Sequence, residues 1–183
     1  MGSESTVSPI LANLAIVAVF ASLLVLTFAE LPRADALRAF VYDHGQHLML
    51  LVAATATGSS LYYSEVVGFV PCEFCWFQRV IMYPLAVLLL TSAITRSRLG
   101  AQFVLVLALI GLGLSIYHYQ LQMFPSQGEV CTGSAVPCSG KYINEFGFVT
   151  IPFMAGCGFL TILILQVSQW RVGNLYRRWT AAE

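Results

Sequence analysis

Pro71-Cys72-Glu73-Phe74-Cys75-Trp76-Phe77-Gln78-Arg79 is the stretch on which the reading of this chain turns. It stands between two long apolar runs, which puts a Cys-x-x-Cys pair at the edge of a lipid bilayer. Cysteines at this spacing close a readily exchanged disulfide, and at a helix start the thiol pKa is lowered. The apolar run beginning directly after Cys75 places that residue in a first helical turn. There, unpaired N–H groups and the positive end of the dipole favour its thiolate. Arg79 follows at i+4, on the same helix face. A fixed cation is therefore expected beside a redox sulfur. The plainer alternative is a structural disulfide with an arginine that snorkels to the interface.

The 183 residues suit one domain, and they are 58% hydrophobic and only 10% charged. Mean hydropathy is +0.77. Soluble domains carry about 25% charged residues, so this composition belongs to an integral membrane protein. The net charge of zero gives no footing for nucleic acid. Of the five cysteines, Cys72, Cys75, Cys131 and Cys138 fall outside the apolar runs, and Cys157 falls inside one.

Worked outward, the pattern predicts an all-α, polytopic helix bundle. Ile10 to Phe28 is apolar and long enough to cross a core of roughly 30 Å. A cleaved signal peptide is the rival reading, weakened by the lack of basic residues before it and by Glu4. Glu30 to His47 reads as a polar connector. Leu48 to Val67 is a second span, with small residues suited to close helix packing in lipid. Phe77 to Ile94 is a third, with Pro84 as an expected kink. Ala101 to Leu121 is a fourth, and Phe148 to Val167 a fifth. The divisions expected are residues 1–47, a first span (10–28) with its connector; 48–168, the redox core; and 169–183, a basic tail.

Five spans alternate sides. Arg33, Arg38, Arg96, Arg98, Arg171, Arg177 and Arg178 then share one side, while Arg79 and Lys141 take the other. Positive residues accumulate on the cytoplasmic side. The cysteine loops are thus expected outside and the C-terminus inside. In an oxidising compartment paired cysteines persist as disulfides, which argues against zinc as their use, although four cysteines can ligate it. Haem attachment would need His where Trp76 stands.

Two cysteine pairs on one side suggest a disulfide relay, since thiol–disulfide exchange passes through mixed disulfides and needs the pairs to meet. The Cys131–Cys138 loop is small, so closing it stabilises little, which suits a labile bridge.

Residues 71–84, Pro-Cys-Glu-Phe-Cys-Trp-Phe-Gln-Arg-Val-Ile-Met-Tyr-Pro, resemble the signature of the DsbB/BdbC family of membrane disulfide-forming oxidoreductases. So do Ser115-Ile116-Tyr117-His118-Tyr119, Val136-Pro137-Cys138-Ser139-Gly140, and Tyr142-Ile143-Asn144 followed by Phe146-Gly147-Phe148. The similarity covers about residues 48 to 168. It implies a four-helix membrane core, a location in the bacterial cytoplasmic (inner) membrane, and a thiol:quinone oxidoreductase. Cys72 and Cys75 match the pair reoxidised by a membrane quinone (ubiquinone or menaquinone), with Cys75 nearest the ring and Arg79 stabilising it. Cys131 and Cys138 match the pair that takes electrons from a DsbA-like thioredoxin-fold partner, Cys131 forming the mixed disulfide. Two features depart from the family pattern: the extra span Ile10 to Phe28, and the six residues between the loop cysteines, a spacing of the BdbC branch. Vitamin K epoxide reductase relatives place the loop pair before the CxxC, unlike this chain.

Further candidates each have a plainer reading. Gln78 is a donor to a quinone carbonyl or a helix-interface amide. His118 is a proton relay on quinone reduction or a packed histidine. Glu65 is a proton acceptor or a solvated interfacial carboxylate. Cys157 reads as a small core residue, and Trp76, Tyr83, Tyr117 and Tyr119 as an aromatic belt. The competing function is a non-enzymatic multi-span protein whose disulfides only staple its loops.

Overall fold

The structure is a computed structural model that describes residues 4–29, 34–95, 100–125, 131 and 136–180. Among the described residues there are five α-helices: α1 (Glu4–Phe28), α2 (Asp35–Leu61), α3 (Glu73–Thr95), α4 (Ala101–Met123) and α5 (Ile151–Thr180). A π-helical turn, Tyr62–Val66, ends α2. Among the described residues there is no strand, only an isolated bridge between Glu145 and Val149. Phe146 (φ 52°) and Gly147 (φ 78°) make the tight reversal inside that bridge, and Gly147 takes the left-handed conformation without a Cβ penalty.

Helices α1, α3, α4 and α5 are each long and apolar enough to cross a membrane. The sequence expectation had five such spans. Helix α2 has the length but is not among the four, because Asp35, Arg38, Asp43, His44 and His47 occupy its first turns. The expected polar connector up to His47 is helical from Asp35 onward. The expected tail from Gln169 is helical as far as Thr180, as a continuation of α5. Pro152, in the first turn of α5, is the last proline in the chain, so no ring interrupts the remainder of that helix. Pro84 sits inside α3, which continues through it from Glu73 to Thr95. Arg33, Arg96 and Arg98 lie outside the described residues.

Helix α5 is the hub, packing on α1, α2 and α4, while α3 packs between α2 and α4. Lipid tails are as apolar as leucine, so association rests on close fit and interhelical hydrogen bonds rather than on water expulsion. Both are present. Phe159, fully buried, fills a hole opened by Gly111: a Cβ there would lie 2.3 Å from the ring. Gln78 Nε2 donates to Ser115 Oγ at 3.0 Å, joining α3 to α4. Gln46 donates to Ser92, joining α2 to α3, and Gln169 Nε2 donates to Val41 O at 3.2 Å, joining α5 to α2.

Candidate redox site

Cys72 immediately precedes α3, in the N-cap position, and its carbonyl accepts from Trp76 N at 3.1 Å. Cys75 falls in the first turn, as its spacing predicted. The CxxC cysteines are free thiols whose sulfurs share a hydrogen bond at 3.0 Å. His118, fully buried on α4, points Nε2 at Cys72 Sγ (3.5 Å) and at Cys138 O (3.2 Å). Both neighbours are acceptors once Cys72 ionises, which selects the tautomer protonated at Nε2. Its Nδ1 is buried with no hydrogen-bond partner among the described residues.

Cys72 is the sulfur on which anion-favouring contacts converge. Its hydrogen bond with Cys75 holds the thiol well below the ordinary range; the hydrogen bond and charge of His118 add to this, and burial opposes it. The sequence argument had assigned the favoured thiolate to Cys75, one turn into the helix. Here the hydrogen bond from Cys75 and, after it, the imidazole from α4 both favour the anion on Cys72.

Cys131 and Cys138 are joined as a disulfide, with Cα atoms 6.1 Å apart. Cys138 is buried, and Cys131 is partly exposed. Cys72, Phe74, Leu121 and Cys138 form one buried cluster, with Cys75 and Cys131 packed against it. The two pairs therefore meet, as a relay requires. The loop is fastened there by Gln122 Nε2 donating to Gly140 O (2.9 Å), Tyr119 Oη to Phe148 O (3.0 Å) and Tyr142 Oη to Val70 O (3.0 Å).

Cys75, Gln78 and Arg79 line a cavity of about 300 Å³ between α1, α2, α3 and α5. Its size falls at the lower end of small-molecule sites, which run about 300–1,000 Å³. Arg79 Nε donates to Ser60 Oγ (2.8 Å), Nη2 donates to Ser60 O (3.0 Å), and the guanidinium lies 5.3 Å from the Trp76 ring centroid. No carboxylate pairs with it among the described residues. Ser60 O stands at the junction where α2 turns into the π-helical turn. Such junctions leave carbonyls free for side-chain donors and recur at functional sites. Nothing in the sequence pattern announced the π turn or the Ser60 contact. The long stacked series Tyr63–Phe69–Tyr142 beside the cavity was equally unannounced.

The other candidates separate. Gln78 lines the cavity but spends its amide on Ser115, so the interface reading holds as well. Glu65 is exposed, paired with Ser64 Oγ at 3.1 Å, and outside the cavity lining. Cys157 is partly buried in α5 and is not part of the cluster that holds both pairs. Cys72, Cys75 and His118 offer donor atoms within 4.8 Å of one another, a set able to hold a thiophilic ion. No fourth Cys, His or carboxylate joins them among the described residues, as a closed zinc site requires.

Comparison with known proteins agrees with this geometry. Residues 43–172 match the family described as "Disulfide bond formation protein DsbB". The chain is 45% identical over 128 residues to a probable disulfide formation protein of Oceanobacillus iheyensis, covering 67% of this chain and 88% of that one. It is 46% identical over 118 residues to disulfide bond formation protein C of Bacillus subtilis, covering 63% and 85%. The SPbeta prophage-derived disulfide bond formation protein B of Bacillus subtilis is 33% identical over 115 residues, covering 63% and 78%. No solved structure matches. Helix α1 lies outside the residues matched by the family.

Proposed function

This chain belongs to the DsbB family of disulfide bond formation proteins, and from that premise we propose that it reoxidises an extracytoplasmic, DsbA-like thioredoxin-fold protein and passes the electrons to a membrane quinone. It is a multi-pass membrane protein and a disulfide-forming oxidoreductase. The observation that carries the quinone reading is the shared cavity: the CxxC sulfur of Cys75 and the Arg79 cation, which no carboxylate pairs among the described residues, toward one end of a mostly apolar space.

Those residues suit a quinone. A flat ring with two carbonyls needs donors at its edge, and Arg79 keeps guanidinium N–H groups beyond those given to Ser60. When bound, a quinone would supply the oxidising power, taking two electrons and two protons as the Cys72–Cys75 dithiol closes to a disulfide. The chain's own residues do the rest. Partly exposed Cys131 receives the partner's thiolate in a mixed disulfide; the partner's second thiol displaces it, leaving the partner oxidised and the loop pair reduced. In the shared cluster the loop dithiol then reduces the Cys72–Cys75 disulfide, which returns the loop to the bridged state seen here. The His118 N–H stabilises the Cys72 thiolate each time it is released.

With α2 counted as a fifth crossing, the orientation proposed is the one the Arg and Lys split favours, with both cysteine loops outside the bacterial cytoplasmic membrane and the C-terminus within. The test is direct. Purified protein, a reduced thioredoxin-fold partner and quinone are mixed, and quinone absorbance is followed beside the partner's thiol state. Coupled loss of both supports the reading. Partner oxidation without quinone consumption, or bridges inert to the partner, restores the stapled-loop alternative.

A further inference from the structure

Helix α1 is an unusual membrane helix in this bundle. It is the most hydrophobic of the four spans (mean hydropathy 2.5) and the least buried, at 11%. A helix serving only as packing would turn its small residues to a neighbour and leave the rest to lipid. Ser8, Ala12 and Ser22 do this and are buried, α1 lying against α5. Ser8 Oγ also donates to Glu145 Oε1 at 2.5 Å, pinning the N-terminal end of α1 to the loop that covers the site. The adjoining face does something else. Leu11, Leu14, Ala15 and Ala18 line the cavity that holds Cys75 and Arg79.

The shape of that cavity matters. Along α2 its lining runs from Ser60 to Leu51, nine residues at 1.5 Å rise, or about 14 Å. Most of its polar groups stand near the CxxC, around Arg79, Gln78, Ser59 and Ser60, with the Thr55 hydroxyl further along α2. The end away from the CxxC is lined by side chains such as Leu51, Val52 and Phe159, with α1 also contributing to the wall. Such a space is longer than one ring, polar toward one end and mostly apolar along the remainder. We infer that α1 forms the wall of a channel for the apolar, polyisoprenoid tail of the quinone, and that Leu11, Ala15 and Ala18 help determine which tails are accepted. This rests on the quinone reading above, and it assigns a use to the helix that the family match does not cover.

Bulk placed on the two faces of α1 tests it. Ala18→Phe fills the channel, and Val17→Phe adds the same bulk on the lipid side, where Val17 is 61% exposed. Binding of a quinone with a polyisoprenoid tail and of its tailless ring analogue is measured on the full-length purified proteins by fluorescence quenching, with no turnover. Wild type is expected to bind the tailed form at least tenfold more tightly than the tailless one. Ala18→Phe is expected to lose at least tenfold for the tailed form and less than twofold for the tailless one, and Val17→Phe to lose neither. Equal affinities in wild type would mean that lipid, not the tail, occupies the end away from the CxxC, and would overturn the inference. So would an Ala18→Phe variant that keeps tailed-quinone affinity, or one that loses both ligands equally. Wild-type protein that binds neither ligand would instead remove the quinone reading itself.

Discussion

His118 Nε2 stands 3.5 Å from Cys72 Sγ in the buried space between the two cysteine pairs. Their sequence separation of 46 residues is closed by α3 packing on α4. The hydrogen bond with Cys75 depresses the folded-state pKa of Cys72 most, and the His118 hydrogen bond, which also favours the charged form, adds to it against burial. A depressed value means the contact stabilises the reduced protein above the ordinary thiol pKa of about 8.5, and that stability is lost as pH falls toward the folded value. We expect the thiolate absorbance of the reduced protein to persist well below pH 8.5, and His118→Phe to move its midpoint upward. A wild-type midpoint in the ordinary thiol range would show that the imidazole is only packing.

How much was legible in the sequence depends on the reach of each signal. The CxxC, its helix start and Arg79 at i+4 are local, and the structure places Cys75 in the first turn of α3 and Arg79 on the same cavity. The meeting of the Cys131–Cys138 bridge with the CxxC was expected from chemical need, and the cluster places them together. The extent of α2 was misjudged because Asp35, Asp43 and the histidines look like a connector, although nothing there breaks a helix. The thiolate was given to Cys75 because the imidazole that favours Cys72 arrives from a helix 46 residues away. The Ser60–Arg79 contact and the α1 wall are long-range too, and no spacing rule reaches them.

The Gly111–Phe159 contact predicts a stability effect independent of any chemistry. A Cβ at 111 meets a ring that is fully buried, whereas one at Gly113 meets nothing within 4 Å. Overpacking of this kind costs about 1–3 kcal/mol. Gly111→Ala should lower the melting temperature in detergent, Gly113→Ala should not, and Phe159→Leu should recover part of the loss in the double variant. Equal melting of all three would mean the helices repack freely.

The unequal exposure of the loop cysteines predicts which one meets the partner. Cys131 is partly exposed and Cys138 is buried against Cys72. With the resolving thiol gone, Cys138→Ala should accumulate a partner–Cys131 mixed disulfide on a non-reducing gel, and Cys131→Ala should accumulate none. Trapping in both variants to the same degree would show that either sulfur can be approached.

Arg79 gives the last prediction. Charge that develops on a quinone oxygen in this poorly solvated cavity is stabilised more by a fixed cation than it would be in water, because the local dielectric is low. The cation is already oriented before any ligand arrives. Ser60 Oγ and O hold Nε and Nη2, and the Trp76 ring covers one side. Arg79→Met removes the charge while keeping much of the stem's packing. Quinone turnover should fall about 10–100-fold, or about 1.4–2.8 kcal/mol at 1.36 per decade. Arg79→Lys keeps the charge but loses the planar fork that bridges Ser60, so it should fall between. Ser60→Ala takes the hydroxyl that accepts from Arg79 Nε and, more weakly, from Tyr83 Oη, and leaves the backbone carbonyl, a loss of about 0.5–1.5 kcal/mol per hydrogen bond. In all three variants, oxidation of the partner by the Cys131–Cys138 bridge in a single turnover should be unchanged, since that step lies in the other loop. Quinone absorbance decay and partner-oxidation gels, run side by side, separate the two steps. Wild-type quinone turnover in Arg79→Met would leave the arginine as an interfacial anchor and return the Cys75 end of the cavity to a structural reading.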